Sequence, residues 1–178
     1  METRVRFLGH SLHQTIVFLP LGLLAGAVGC DVAYLVTHEL SWALMAYRLM
    51  GAGLIAGLAA AVPGFLDWRG LPIGSRAQQV GQLHGAGNVL MLLLFFASFL
   101  MRREMTGHIP GALTLTLGFT AMALAGVTGW LGGELVSRLG VGVSSGANVN
   151  APSSLGDQKR GAIAMKAGTL GDDRSMRK

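Results

Sequence analysis

Charge is scarce in this sequence. Charged residues make up 13% of its 178 residues, whereas hydrophobic residues make up 51%. A soluble globular domain carries about 25% charged residues, so the composition argues against one. Glycine, which is frequent in membrane helices because it lets backbones approach closely, is abundant at 27 residues. The composition is therefore that of an integral membrane protein.

The sequence also lacks the marks of several functional classes. Its single cysteine, Cys30, excludes a disulfide framework within the chain. The formal net charge is +5, but the basic residues follow the ends of apolar runs instead of forming one basic face with interleaved aromatics. Nucleic acid is therefore not an expected partner. No Walker loop, dinucleotide fingerprint, HExxH or nucleophile elbow is present. We assign no catalytic residue, and an electron-transfer or accessory subunit is favoured over a stand-alone enzyme.

Four apolar segments are long enough to cross a hydrocarbon core of about 30 Å at about 1.5 Å per residue. They cover residues 15–36, 43–66, 83–101 and 112–135. Short links favour antiparallel neighbours, so residues 1–143 predict an all-α, four-transmembrane-helix, up-down-up-down bundle. Residues 144–178 are polar, without aromatic residues or periodicity. They predict a C-terminal tail that is disordered unless a partner orders it.

The distribution of basic residues predicts the orientation. The side of the membrane that holds the N-terminus carries Arg4, Arg6, Arg69, Arg76 and Arg138. The opposite side carries Arg48, Arg102 and Arg103, and six further basic residues lie in the tail. The positive-inside rule therefore places both termini in the cytoplasm. We expect a multi-pass protein of the bacterial cytoplasmic (inner) membrane.

Ionisable residues in membrane spans mark functional sites or ion pairs. The alternating helix directions bring one set to the N-terminal side, namely His10, His13, Asp67, His84 and Glu134. If the helices are ordered around a square, the first and third are diagonal, and His13 and His84 face each other across the core. His10 and His13 are three residues apart and are expected to share a helical face. At the other end, Asp31 is expected to pair with Arg48.

Three interpretations of this set stay open. In the first, His13 and His84 ligate the iron of a b-type haem, with His10 as a further cofactor-binding candidate and small residues beside His84 making room. In the second, the imidazoles and carboxylates of the set, including Asp67 and Glu134, hold a divalent metal such as zinc. In the third, the set lies at the water interface, caps helix ends or pairs with arginines, and no cofactor is bound. Metal transport is disfavoured because the mid-span residues are almost all apolar.

The N-terminal region carries a motif, Gly9-His10-Ser11-Leu12-His13-Gln14, which leads to Phe18-Leu19-Pro20-Leu21-Gly22. It resembles the GHPLHP…FPIG opening of domain-of-unknown-function family 2231, a group of predicted four-helix bacterial membrane proteins. Three later stretches agree: Pro63-Gly64-Phe65-Leu66-Asp67-Trp68, Leu83-His84 with Asn88, and Gly129-Trp130-Leu131-Gly132-Gly133-Glu134-Leu135-Val136. The resemblance covers residues 9–143, and differs at Ser11 and Gln14, where the family often has proline. Since some members are joined to a Rieske iron–sulfur domain, it implies electron transfer.

The leading hypothesis from the sequence is thus a membrane redox or electron-transfer subunit. It would bind haem b or a metal through histidines at one membrane face. The alternative is a cofactor-free structural or accessory subunit of a larger membrane complex. In both cases the expected partners are the lipid bilayer and a membrane protein complex or electron-transfer partner.

Overall fold

The computed structural model describes residues 2–156. Within this range the long helices are α2 (Phe18–Thr37), α3 (Leu40–Trp68), α4 (Arg76–Arg103) and α5 (Ala112–Ser137). A short helix, α1 (Leu12–Ile16), precedes α2, and a 3-10 turn (Thr106–His108) precedes α5. Counting α1 and α2 as one span, four helices of the described region are long and apolar enough to cross a membrane. The predicted all-α bundle of four membrane-spanning helices is confirmed.

A small β-hairpin precedes the first span. Its strands are β1 (Arg6–Phe7) and β2 (His10–Ser11), which pair in antiparallel fashion. The turn residues Leu8 and Gly9 have φ angles of 50° and 85°, as a two-residue type I′ hairpin requires. The expectation that His10 and His13 share a helical face is wrong, because His10 lies in a strand and the helix begins after it.

The first span contains a slight break at Val17, between α1 and α2. Pro20 accounts for it, because proline has no N–H to donate to the carbonyl of Ile16 four residues earlier. The chain still continues as one span, since Val17 N–H donates to His13 O at 3.0 Å and Leu21 N–H donates to Val17 O at 3.4 Å. A second proline, Pro63, lies inside α3 without ending that helix.

The third span starts earlier than its apolar run. We predicted its start at Leu83, but α4 begins at Arg76. Ser75 caps this end, since its side chain accepts a hydrogen bond of 3.1 Å from Gln78 N–H. A polar helical turn therefore extends α4 beyond the apolar segment and shortens the link from α3.

The long helices pack as two antiparallel hairpins, α2–α3 and α4–α5. The hairpins meet through α3–α4 and, more weakly, through α2–α5, so α2 is diagonal to α4 as predicted. Each helix contributes apolar side chains to the shared core, including Leu24, Met50, Phe95 and Ala121. Side chains such as Ile55, which is 72% exposed, form the outer apolar surface that suits a lipid environment.

The chain turns back across the end of the bundle after α5. Gly142 has a φ of 81°, and a Cβ atom at this position would collide with the side chain of Gln14. Gln14 Nε2 donates to Val141 O at 3.1 Å, which holds the turn on the first span. The described part of the predicted tail, 144–156, continues as turns and a short helical stretch at 154–156 beside the β-hairpin. The remainder, 157–178, lies outside the described residues, and disorder of the tail stays a prediction.

Candidate functional site

Two histidines meet in the core at the N-terminal end of the bundle. The ring centroids of His13 and His84 are 6.4 Å apart, and their ring planes are nearly perpendicular at 88°. His13 belongs to α1 and His84 to α4, so the pair joins the two helical hairpins. The prediction that these two residues face each other across the core is confirmed.

Each imidazole is held by a backbone carbonyl of another helix. His13 Nδ1 lies 2.8 Å from Ala60 O in α3, and His84 Nδ1 lies 2.8 Å from Thr128 O in α5. A carbonyl oxygen can only accept, so Nδ1 carries the hydrogen in both rings. In the neutral ring Nε2 then holds a lone pair. Metal-ligating histidines are held in the same way, with the second ring nitrogen bonded to a carbonyl.

Asn88 and Thr128 extend the hydrogen bonding around His84. Asn88 Nδ2 donates to His84 Nε2 at 3.1 Å and to His84 O at 2.9 Å, and Thr128 Oγ1 donates to Asn88 Oδ1 at 3.1 Å. Nε2 of His84 is therefore an acceptor, which agrees with the hydrogen on Nδ1. Neither residue was predicted as part of the site. The sequence could have identified both residues, because they are polar residues in apolar spans and Asn88 lies one helical turn after His84.

Glycines give the imidazoles their room. A Cβ atom on Gly64 would lie 2.8 Å from His13 Nδ1, and one on Gly132 would lie 3.1 Å from His84 Cε1. At Gly85, by contrast, a Cβ atom would have no neighbour within 4 Å. The predicted free volume beside His84 is thus present at Gly85. Gly87 has a different role, because it allows close contact between α4 and Thr128 of α5.

The histidine pair borders a cavity of about 710 Å³ between the two hairpins. Ligand pockets in proteins typically have volumes of about 300–1,000 Å³ and mostly apolar walls with a few polar groups. The walls here are mostly apolar and come from all four spans. The lining residues Leu21, Phe65 and Val89 are exposed and lie within the spans, so the cavity opens towards the lipid-facing surface.

The other predicted site residues have separate positions. Asp67 also lines the cavity, and its Oδ1 accepts a hydrogen bond of 3.0 Å from Val5 N–H. Glu134 is outside the cavity lining and pairs with Arg76 at 2.7 Å. His10 is exposed, and its Nδ1 lies 3.2 Å from Leu8 O. The cavity therefore brings together His13, His84 and Asp67. Within residues 2–156, no group of three or more His, Cys, Asp or Glu side chains is placed to hold a metal ion.

The opposite end of the bundle is closed by a buried ion pair. The expected pairing of Asp31 with Arg48 is wrong, because the partner of Asp31 is Arg102 in α4. Their two hydrogen bonds measure 2.6 and 2.8 Å, and both side chains are almost fully buried. Beside them Tyr47 stacks between Phe99 and His108, with ring centroids 4.5 and 3.9 Å away. The cavity is thus confined to the end with the histidines.

Comparison with known proteins gives a family. No curated protein and no solved structure matches the chain. A family described as predicted membrane protein (DUF2231) matches residues 9–145. This range contains all four spans and both histidines of the pair. The chain therefore belongs to domain-of-unknown-function family 2231, a family of predicted membrane proteins.

Proposed function

We propose that this protein is an electron-transfer subunit of a membrane complex and that it binds haem b between His13 and His84. The observation that supports this function best is the hydrogen bonding of the two imidazole rings. Both hold their Nδ1 hydrogen on a carbonyl of a neighbouring helix, at 2.8 Å in each case. This bonding fixes the orientation of each ring and leaves Nε2 as the nitrogen through which His13 and His84 would hold the haem iron.

The separation of the rings also suits one shared metal. Two imidazoles that would hold one metal ion, each through a bond of about 2.0–2.1 Å, must lie close together in the fold. The ring centroids of His13 and His84 are 6.4 Å apart.

The surroundings fit an apolar macrocycle. The cavity beside the pair has mostly apolar walls and open space at Gly85. Haem in a four-helix bundle is held in the same manner, by side chains of facing helices. Haem supplies one-electron redox chemistry when bound. His13 and His84 would hold and orient it, and Asn88 would give up its bond to His84 Nε2 while its bond to His84 O could remain.

The test is an optical spectrum of protein purified after expression with ample haem, recorded oxidised and then reduced with dithionite. We expect a b-type spectrum that is lost in His13→Ala and in His84→Ala. The matched control is His10→Ala, because His10 is exposed and lies outside the cavity lining. A featureless spectrum of the folded wild-type protein would overturn the proposal.

Elemental analysis of the same sample tests a divalent metal at the histidine pair. Asp67 lines the same cavity, so its carboxylate would be the candidate third ligand of such a metal. A stoichiometric metal without a haem spectrum, lost in His84→Ala, would support this alternative. A sample with neither a haem spectrum nor a stoichiometric metal would support the cofactor-free function.

The second candidate function is a cofactor-free accessory subunit of a larger membrane complex. One observation favours it: both Nδ1 atoms and Nε2 of His84 have protein partners already. The pair would then join the hairpins and carry no ligand. In this case His84→Ala lowers the thermal stability of the protein, while neither the spectrum nor the metal content distinguishes it from the wild type.

We further propose that the histidine end faces the cytoplasm of a bacterial inner membrane. On the opposite side Arg102 is buried against Asp31 inside the bundle, so only Arg48 and Arg103 remain exposed there among the basic residues predicted for that side. This strengthens the positive-inside bias. In a Cys30→Ser background, a membrane-impermeant maleimide should label Glu104→Cys in intact cells and Ser144→Cys only after lysis. The reverse pattern would contradict this orientation.

A further inference from the structure

Three polar atoms at the N-terminal end of the cavity are buried without a hydrogen-bond partner within the described residues. They are Thr3 Oγ1, Ser11 Oγ and Asp67 Oδ2. The exposed fraction is 4% for Ser11 and 9% for Asp67. All three residues line the cavity. Buried polar atoms are nearly always paired with protein or ordered water, because an unpaired one lowers stability, so three at one end of a cavity indicate that a polar group occupies it.

The hairpin that precedes the first span brings these atoms together. Val5 N–H donates to Asp67 Oδ1 at 3.0 Å, which fixes the N-terminal segment on the end of α3. Thr3 lies two residues before Val5. Ser11 pairs with Arg6, the residue after Val5, across the two-stranded sheet. The carboxylate and the two hydroxyls therefore lie at the same end of the cavity.

The chemistry of these atoms defines the ligand. A carboxylate oxygen only accepts hydrogen bonds, whereas serine and threonine hydroxyls donate and accept. The remainder of the cavity is mostly apolar and opens within the spans. We propose that this end of the cavity is a head-group site for a lipid-soluble molecule that carries a neutral hydroxyl group. The hydroxyl donates to Asp67 Oδ2 and accepts from Ser11 or Thr3.

The donors and acceptors of the site favour a hydroxyl over an ammonium group. An ammonium group only donates hydrogen bonds, so it could bond to Asp67 Oδ2 but could not accept from Ser11 or Thr3. A hydroxyl both donates and accepts, so it can pair with the carboxylate and with one of the two hydroxyls.

The head-group site is adjacent to the histidine pair but does not depend on haem. Gly64, which contacts His13, and Asp67 lie one turn apart on the same side of α3. The unpartnered atoms lie beyond the histidines, towards the end of the bundle. The polar atoms and the apolar cavity therefore form the head-group site whether or not the histidines ligate a metal.

The test uses the full chain in nanodiscs, free of haem as checked by absorbance, and a long-chain alcohol with a photoreactive diazirine in its chain. We expect labelling of peptides that line the cavity and competition by the unlabelled alcohol. The O-methyl ether of that alcohol lacks the donor and should compete about tenfold less well. Asp67→Asn places a donor where the ligand needs an acceptor, so labelling should fall about tenfold. Glu104→Gln, an exposed carboxylate at the other end, is the matched control.

A second variant keeps the proposal testable if Asp67→Asn does not fold. Ser11→Ala removes an unpartnered hydroxyl and leaves the bond between Val5 and Asp67 intact, so the fold should persist while labelling falls. Equal competition by the ether, stronger labelling by the alkylammonium analogue, or even labelling of the whole lipid-facing surface would each overturn the proposal. Because the protein is haem-free, these outcomes are separate from those of the haem spectrum.

Discussion

Asp31 and Arg102 form a bidentate ion pair, with bonds of 2.6 and 2.8 Å, inside the apolar bundle. The pair joins α2 to α4, the two helices that are diagonal in the bundle. His13 and His84 join the same two hairpins at the other end. One end is therefore held by opposite charges and the other by two imidazoles beside a cavity. The cavity that could hold a ligand thus lies at the histidine end.

The buried ion pair should be essential to the fold. Asp31→Ala or Arg102→Ala leaves one charge buried without its partner, which costs about 3–5 kcal/mol of unfolding free energy. The double variant Asp31→Leu with Arg102→Met removes both charges and should be close to wild type. Unfolding in detergent with increasing denaturant measures these differences.

Arg103→Ala is the control for this prediction. Arg103 is exposed and lies 4.0 Å from the exposed carboxylate of Glu104. Its loss should change the unfolding free energy by less than about 1 kcal/mol. If Arg102→Ala were as mild as Arg103→Ala, the ion pair would not hold the two hairpins together.

The sequence predicted the spans well because long apolar runs identify membrane helices without any knowledge of their packing. It also predicted that His13 and His84 meet, since short links order the helices around a square. The start of α4 was placed too late, because a polar turn capped by Ser75 lies outside the apolar pattern. His10 was placed in a helix, because the Leu8-Gly9 turn was not recognised as a hairpin turn.

The pairing of side chains between helices could not be predicted in the same way. Arg48 is the basic residue nearest to Asp31 in the chain, but Arg102 reaches it from the end of α4. The carbonyls that hold the two histidines belong to Ala60 and Thr128. A backbone acceptor has no sequence signal, and its position depends on the register of two packed helices. Such contacts follow only from the three-dimensional structure.

Gly64 should be required for the position of His13. In Gly64→Ala the new methyl group would lie 2.8 Å from His13 Nδ1, so the ring must move and its bond to Ala60 O weakens. Disturbing a partner of a metal-ligating histidine lowers affinity about 10–100-fold, and we expect this loss in a haem titration. Gly22→Ala is the matched control, because its Cβ atom would have no neighbour within 4 Å. Equal loss in both variants would point to a general effect on the helices.

Glu134 should have no part in cofactor binding. Its carboxylate pairs with Arg76, whose side chain is 64% exposed, and Glu134 is outside the cavity lining. Glu134→Gln should therefore change the unfolding free energy by less than about 1 kcal/mol and leave haem or metal content unchanged. Elemental analysis and the reduced spectrum measure this. A metal content reduced as strongly as in His84→Ala would instead establish Glu134 as a ligand.

Asn88 should act in opposite directions on the fold and on haem binding. It donates to His84 Nε2, the atom through which His84 would hold haem iron, so Asn88 would have to release this bond when haem binds. The net value of such a hydrogen bond is about 1 kcal/mol. Asn88→Ala removes this bond and the two that Asn88 makes to His84 O and Thr128, so it should lower the stability of the haem-free protein by at least about 1 kcal/mol and raise haem affinity about fivefold. Thermal unfolding and haem titration of the same preparation give both numbers.

Weaker haem binding in Asn88→Ala would mean that Asn88 positions His84 for the ligand and does not compete with it. A loss of stability without any haem binding would match the cofactor-free function, in which Asn88 and His84 only hold α4 against α5.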